Sequence, residues 1–183
     1  MTGKLTGKAT RRLVGRSLSG WVAGLSLSLL GAAIALADVP FPLWDILPYL
    51  QTQTSVPIFL PDVLPAAEVE QIYISAEADN ISYSLSLDYT QDCRGATACN
   101  IGSLSAEVGG FSFGPNDLLP GDQFALVTLT DGTQGGFFNF CGAYCSAILQ
   151  WERGGVLYTM YLKNGTLEEL LTIANSAIAA GPR

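Results

Sequence analysis

The sequence predicts an α+β domain: an antiparallel meander sheet with a C-terminal helix packed on one face. Three observations carry that prediction. Residues 81–89 alternate strictly, with Ile81, Tyr83, Leu85, Leu87 and Tyr89 on one side and three serines and Asp88 on the other. Two glycine-containing turns, 131–135 and 153–155, each separate a pair of apolar runs. The chain then ends in a capped amphipathic helix.

The first 37 residues read as a separate element. Lys4, Lys8, Arg11, Arg12 and Arg16 are five of the nine basic residues, and no acid precedes Asp38. An apolar stretch from Leu18 to Leu36 follows, ending in Ala35-Leu36-Ala37. A charged start, an apolar middle and a small-x-small end make a secretory signal peptide, with cleavage expected between Ala37 and Asp38. The apolar stretch is long enough to span a bilayer as an uncleaved anchor, but its glycines and serines and the Ala-x-Ala site favour removal. Arg11-Arg12 partly resembles a twin-arginine signal, with poorly matching flanks.

Residues 38–65 form a proline-rich segment, with Pro40, Pro42, Pro48, Pro57, Pro61 and Pro65. Fixed φ and missing donors predict an extended lead-in whose apolar residues pack onto the domain. Residues 66–183 form that domain. The alternating run at 81–89 is expected to turn its polar side to solvent, with 69–76 as its partner and 100–108 as a weaker strand. Runs 124–130 and 136–140 flank one hairpin turn, and 147–152 and 156–163 flank another. Short connections make antiparallel neighbours. Thr166 and Glu169 form a capping box, and Gly181-Pro182 is a stop. At about 100° per residue, Leu167, Leu170, Leu171, Ala174, Ala177 and Ile178 fall in one arc of about 120°.

Removing 37 of the 183 residues leaves 146, carrying four of the nine basic residues and all sixteen acids, a net charge of 4 − 16 = −12. So acidic a surface excludes a nucleic-acid partner held through phosphates, and a polybasic membrane patch. No stable membrane insertion is expected once the signal is gone. The predicted location is outside the cytoplasm: periplasmic, cell-surface or extracellular.

The four cysteines fall in two local pairs, Cys93 with Cys99 and Cys141 with Cys145. An exported protein meets oxidising surroundings and an even count fits complete pairing. Of three possible connectivities the two local bridges are expected, because each brackets a loop of small residues. Loops this short contribute about 2 kcal/mol each on the chain-entropy view.

The last third carries a resemblance. Trp151-x-x-x-Gly155-x-x-Tyr158, then Leu167-Glu168-Glu169-Leu170-x-x-Ile173-Ala174-x-Ser176, resembles the end of an uncharacterised extracytoplasmic bacterial domain. That domain type is found in lipoproteins and anti-sigma-factor-associated proteins. Pro61-Asp62-Val63-Leu64-Pro65 is similar to the proline-bounded element before its first strands. The chain looks like a cyanobacterial secreted variant of it, although the cysteine pairs lie outside the pattern. The resemblance implies a sheet-plus-helix fold and a binding or sensing role, with no catalytic residue to carry over.

The chemistry that the residues permit is narrow. The chain has no histidine, which removes serine and cysteine sites activated by imidazole, and histidine-ligated metals. Lys163 is the only lysine after the signal, and no Ser-x-x-Lys motif precedes it. Sixteen acids guarantee pairs that could serve carboxylate hydrolysis, but Glu107, Glu152 and Asp88, in or beside strands, read as solvated strand-face residues. Asp88, Asp92, Asp117 and Asp122 supply hard oxygens for calcium without a known loop spacing. Cys141 and Cys145 have three residues between them, not the two of thioredoxin-like motifs, and read as a structural bridge. Asn80-Ile81-Ser82 and Asn164-Gly165-Thr166 match the glycan acceptor pattern.

No catalytic, cofactor or metal residue is therefore assigned. The reading favoured is a non-catalytic exported domain that binds or senses a protein or cell-envelope ligand. A secreted carboxylate-dependent hydrolase and an assembly component using the proline-rich arm are the alternatives.

Overall fold

A computed structural model describes residues 39–64, 71–93 and 96–183. The expected signal peptide of residues 1–37, its expected cleavage site, and positions 69 and 70 of the expected 69–76 strand lie outside the described residues.

Among the described residues the elements run β1 (Val39–Pro40), α1 (Leu43–Gln53), β2 (Val63–Leu64), β3 (Tyr73–Asp79), β4 (Ser82–Asp88), β5 (Asn100–Val108), β6 (Gln123–Thr128), β7 (Gln134–Cys141), β8 (Cys145–Arg153), β9 (Val156–Lys163) and α2 (Leu167–Ala180). This is α+β, with an antiparallel sheet of seven strands and a C-terminal helix. None of the described helices is long and apolar enough to cross a membrane.

The sheet order is β3-β4-β5-β9-β8-β7-β6. Two runs of hairpin-connected strands, β3–β5 and β6–β9, lie side by side and join where β5 pairs with β9. Connections local in sequence set the order inside each run, whereas the β5–β9 pairing is non-local. Gly102 sits at that joint, beside an irregularity in the β4–β5 register. A Cβ on Gly102 would come 2.2 Å from the Tyr161 carbonyl oxygen, so only glycine fits this close approach.

Strand alternation divides the sheet into two faces. One carries Tyr83, Leu85, Leu104, Tyr158, Met160 and Leu149, all buried, which form one core with Leu50, Leu60 and Leu170. Phe59 meets Tyr158 edge-on at 5.3 Å, and the Tyr158 hydroxyl donates to the Pro57 carbonyl at 3.0 Å. Burial lifts the Tyr83 phenol above its ordinary range and pushes Tyr158 up to about 12. Helix α2 contacts β8 and β9. Its capping box forms as expected: the Glu169 N–H donates to Thr166 Oγ1 at 3.2 Å and the Thr166 N–H to Glu169 Oε2 at 2.7 Å. The buried arc is broader than expected and takes in Ile173, while Ser176 Oγ accepts from the Asp62 N–H at 3.1 Å. Residues 58–64 run along that side of the helix.

The proline-rich segment departs from expectation. Residues 43–53 are helical, not extended. Pro42, with φ −77°, stands at the N-cap, where a missing N–H has no helical partner to lose. Pro48 lies inside the helix and removes the donor owed to the Trp44 carbonyl. Trp44 sits on the exposed side, where solvent can replace that donor. Leu43, Ile46, Leu47 and Leu50 recur at three- and four-residue spacing and turn one apolar stripe inward. Phe41, Ile46 and Leu50 are buried as the packing expectation required, but Trp44 is 92% exposed.

Candidate functional site

The expected bridges form, Cys93–Cys99 and Cys141–Cys145, with Cα atoms 5.6 and 4.0 Å apart. The second closes the β7–β8 hairpin, where Cys141 and Cys145 are cross-strand partners. Among the described residues no cysteine is free.

The carboxylates proposed for hydrolysis do not converge. Glu107 and Glu152 each pair with Leu157, from opposite sides, so they share a row across three strands. Gly110 lies over that row: a Cβ there would be 3.1 Å from Leu157 Cβ and 3.3 Å from Glu107 Cβ. Backbone therefore occupies the space in which a substrate would have to lie between the two acids. Asp88 is buried and accepts from Ser86 Oγ at 3.1 Å and Asn100 Nδ2 at 2.9 Å. Burial corrects its expected place on a solvated face: the β4–β5 register skips Ile101 between Leu87 and Asp88, which sets Asn100 opposite Asp88.

The aspartates considered for calcium are also held locally. Asp117 accepts from the Gly114 N–H at 2.7 Å, Asp122 from the Leu119 N–H at 2.8 Å, and Asp92 is exposed. Among the described residues no three acids or cysteines gather as a metal cluster. Lys163 donates to the Thr97 carbonyl at 2.6 Å and lies 5.3 Å from the centre of the Tyr144 ring, tying the first disulfide loop to the second hairpin tip. Asn164 Oδ1 accepts from the Cys145 N–H at 2.9 Å and Thr166 caps α2, so the second glycan pattern is built into the fold. Asn80, in the β3–β4 turn, is exposed.

The second sheet face is where chemistry gathers. Cross-strand register aligns Ser75, Ser86, Ser103 and Tyr161 in one row, and Ser84, Ser105 and Thr159 in the next. Among the described residues Glu77, at the β3 margin, is the one charged side chain within these rows, and the buried Asp88 lies beside them, accepting from Ser86 at 3.1 Å. Ser75 and Ser84 are exposed, and Ser86, Ser103, Ser105, Thr159 and Tyr161 are half-buried. Burial raises the Tyr161 phenol, opposed by its hydrogen bond with Ser146, so it stays a neutral donor.

The other half of this face is aromatic and covered. The chain leaves β5 mid-sheet and must reach β6 at the far edge, so residues 109–122 cross over β9, β8 and β7. Phe113 lands 5.7 Å from Phe138 and 5.6 Å from Phe140. Gln150, itself buried, fixes it there: Gln150 Oε1 accepts from the Phe113 N–H at 2.9 Å and Nε2 donates to Thr159 Oγ1 at 3.1 Å. The sequence reading named none of Ser103, Ser105, Phe113 or Gln150. For the serines a signal was present, since Ser103 and Ser105 alternate with Gly102, Leu104 and Ala106 as in the stronger strand before them.

A groove of about 550 Å³ beside α1 is lined by Phe41, Leu43, Trp44, Leu47 and the Asp62–Arg183 ion pair. A cavity of about 100 Å³ sits at the end of β4, β5 and β9, with Lys163 and Glu169 on its wall. No protein-family model, curated protein or solved structure matches this chain.

Proposed function

We propose that this chain is an exported, non-catalytic binding domain whose ligand lies across the hydroxyl-lined half of the open sheet face. One observation carries the reading. One face of the sheet is closed by α2 and residues 55–64 and forms the core, while on the other the described residues leave two rows of aligned hydroxyls uncovered. Such rows present donors and acceptors at the sheet's own spacing, roughly 4.8 Å between strands. The absence of charge at their centre suits a neutral, hydroxyl-rich polymer of the cell envelope better than an ionic ligand. Tyr161 adds an apolar ring with a polar tip, a side chain suited to stacking on a sugar ring.

Export is supported by the signal pattern of residues 1–37 and by the two bridges. A binding or sensing role also follows from the resemblance of residues 151–176 to an extracytoplasmic bacterial domain. The hydrolase alternative loses support because Gly110 fills the row between Glu107 and Glu152.

The test is binding of the exported protein to neutral polysaccharides, both soluble dextran and isolated wall polysaccharide, followed by sedimentation. Converting Ser84, Ser103 and Ser105 together to alanine should weaken binding at least about ten-fold and leave the fold intact. Binding that the triple variant leaves unchanged, or no binding of either polysaccharide, would sink the proposal.

A further inference from the structure

The two edges of the sheet are built differently. Edge strand β3 carries Glu77 and Asp79, contacts α1, and ends in a turn where Ser55 Oγ donates to the Asn80 carbonyl at 2.7 Å. Charges and a covering element are the usual protection of an edge against pairing with another chain. Among the described residues edge strand β6 has neither. Its sequence, Gln123-Phe-Ala-Leu-Val-Thr128, holds no charge, no proline and no glycine, and Leu126 is 74% exposed.

Its neighbour β7 is also free of charge, which is unusual in a chain whose residues 38–183 carry a net charge of −12. The acids flanking the strand are engaged. Asp122 accepts from the Leu119 N–H at 2.8 Å, and Asp131 is paired with Arg153 at 2.7 Å. The Thr133 N–H and hydroxyl, with Arg153 behind them, hold the Asp131 carboxyl below its usual range, so it stays paired.

The direction of the free backbone groups follows from the hairpin. The Leu129 N–H donates to the Thr133 carbonyl at 2.8 Å, and the same register runs down the strand to Gln123 opposite Asn139. By antiparallel alternation, Val127, Ala125 and Gln123 then bond to β7, and Phe124, Leu126 and Thr128 turn their N–H and carbonyl groups outward. Among the described residues nothing accepts from or donates to those groups. Beside them, a groove of about 370 Å³ lies between Ala125 and Phe137 of the sheet and Gly165 and Leu167 at the start of α2.

We propose that β6 is a docking edge for a second copy of this chain, the two β6 strands pairing antiparallel about a two-fold axis at Leu126. With Leu126 opposite its own copy, Phe124 falls opposite Thr128 on either side, and all three outward residues enter hydrogen-bonded pairs at once. That gives about six hydrogen bonds, two for each pair. The two sheets become one continuous sheet, and the exposed Leu126 side chains meet across the axis. A second copy is favoured over a foreign strand because the patch is self-complementary. It is a stretch of edge where two strongly acidic molecules meet without like charges opposed.

The experiment is a concentration series of the exported protein by analytical ultracentrifugation, with amide exchange measured on the same samples. The expected result is a dimer, in which the amides of Phe124, Leu126 and Thr128 gain protection as concentration rises while those of β3 do not. Leu126→Lys places like charges on the axis, and Thr128→Pro removes an outward donor without touching the β6–β7 ladder. Each should weaken dimerisation at least about ten-fold, with circular dichroism unchanged. Should one variant misfold, the other and the exchange data decide the matter. A monomer at every concentration up to about 1 mM would overturn the proposal. So would a dimer indifferent to both variants, or one that dissociates on Trp44→Ala instead.

Discussion

Gln150 shows how one side chain can decide what a surface presents. It is buried in β8 on the half-open face, and both ends of its amide are engaged, one by the Phe113 N–H and the other by the Thr159 hydroxyl. The amide therefore holds the crossing segment over the aromatic half and steadies the hydroxyl row beside it. Replacing Gln150 with leucine keeps the volume but leaves a half-buried donor at Phe113 without its acceptor, a loss of about 1 kcal/mol. The expected outcome is a lower urea midpoint together with faster exchange of the Phe113 amide. Unchanged protection at Phe113 would mean that ring packing alone holds the segment.

At the scale of elements, α1 is the part whose role changed most. Read as a string of prolines it is an extended arm, yet Leu43, Ile46, Leu47 and Leu50 already lie at helical spacing in the sequence. The proline rule competes with that spacing and loses, because Pro42 falls at the cap and Pro48 costs one hydrogen bond on the exposed side. Burial of Ile46 and Leu50 in the common core offsets that cost. It follows that Leu50→Ala should cost about 2–5 kcal/mol, the range for a fully buried leucine, and as much as Leu149→Ala in the sheet. Denaturant unfolding of both variants makes the comparison. A cost for Leu50→Ala well below that of Leu149→Ala would show the helix to be a detachable arm.

For the whole molecule, the core face ties the segment before the sheet to the sheet itself through two buried phenols. The Tyr83 hydroxyl meets the Phe59 backbone, and that of Tyr158 donates to Pro57. Burial raises both above their ordinary value, Tyr158 to about 12 and Tyr83 further. Their contribution to stability is complete below about pH 10, where the unfolded phenols are protonated. It declines as pH rises above that toward the folded values. The slope is about 1.4 kcal/mol per pH unit for each phenol, so urea midpoints should fall steeply between about pH 10 and 12. Tyr158→Phe should flatten that fall, and a pH-independent midpoint over the window would contradict the assignment.

Much of this was written locally. Each hairpin, the capping box of α2 and both cysteine pairs are set by residues close together in sequence, and local periodicity or spacing is enough to specify them. The face with Tyr83, Leu85 and Leu87 was legible for the same reason. Local spacing cannot say which distant edge a strand will choose, because the β5–β9 pairing depends on a close approach at Gly102 that appears only when the strands meet. That one non-local choice sends residues 109–122 across the second face, lays Gly110 between Glu107 and Glu152, and leaves the serine rows uncovered and β6 at an unguarded edge. The hydroxyls were visible in the chain as alternation, but joining the serines of β5 to Tyr161 and Thr159 of β9 depends on register between distant strands, which was decided by the tertiary structure alone.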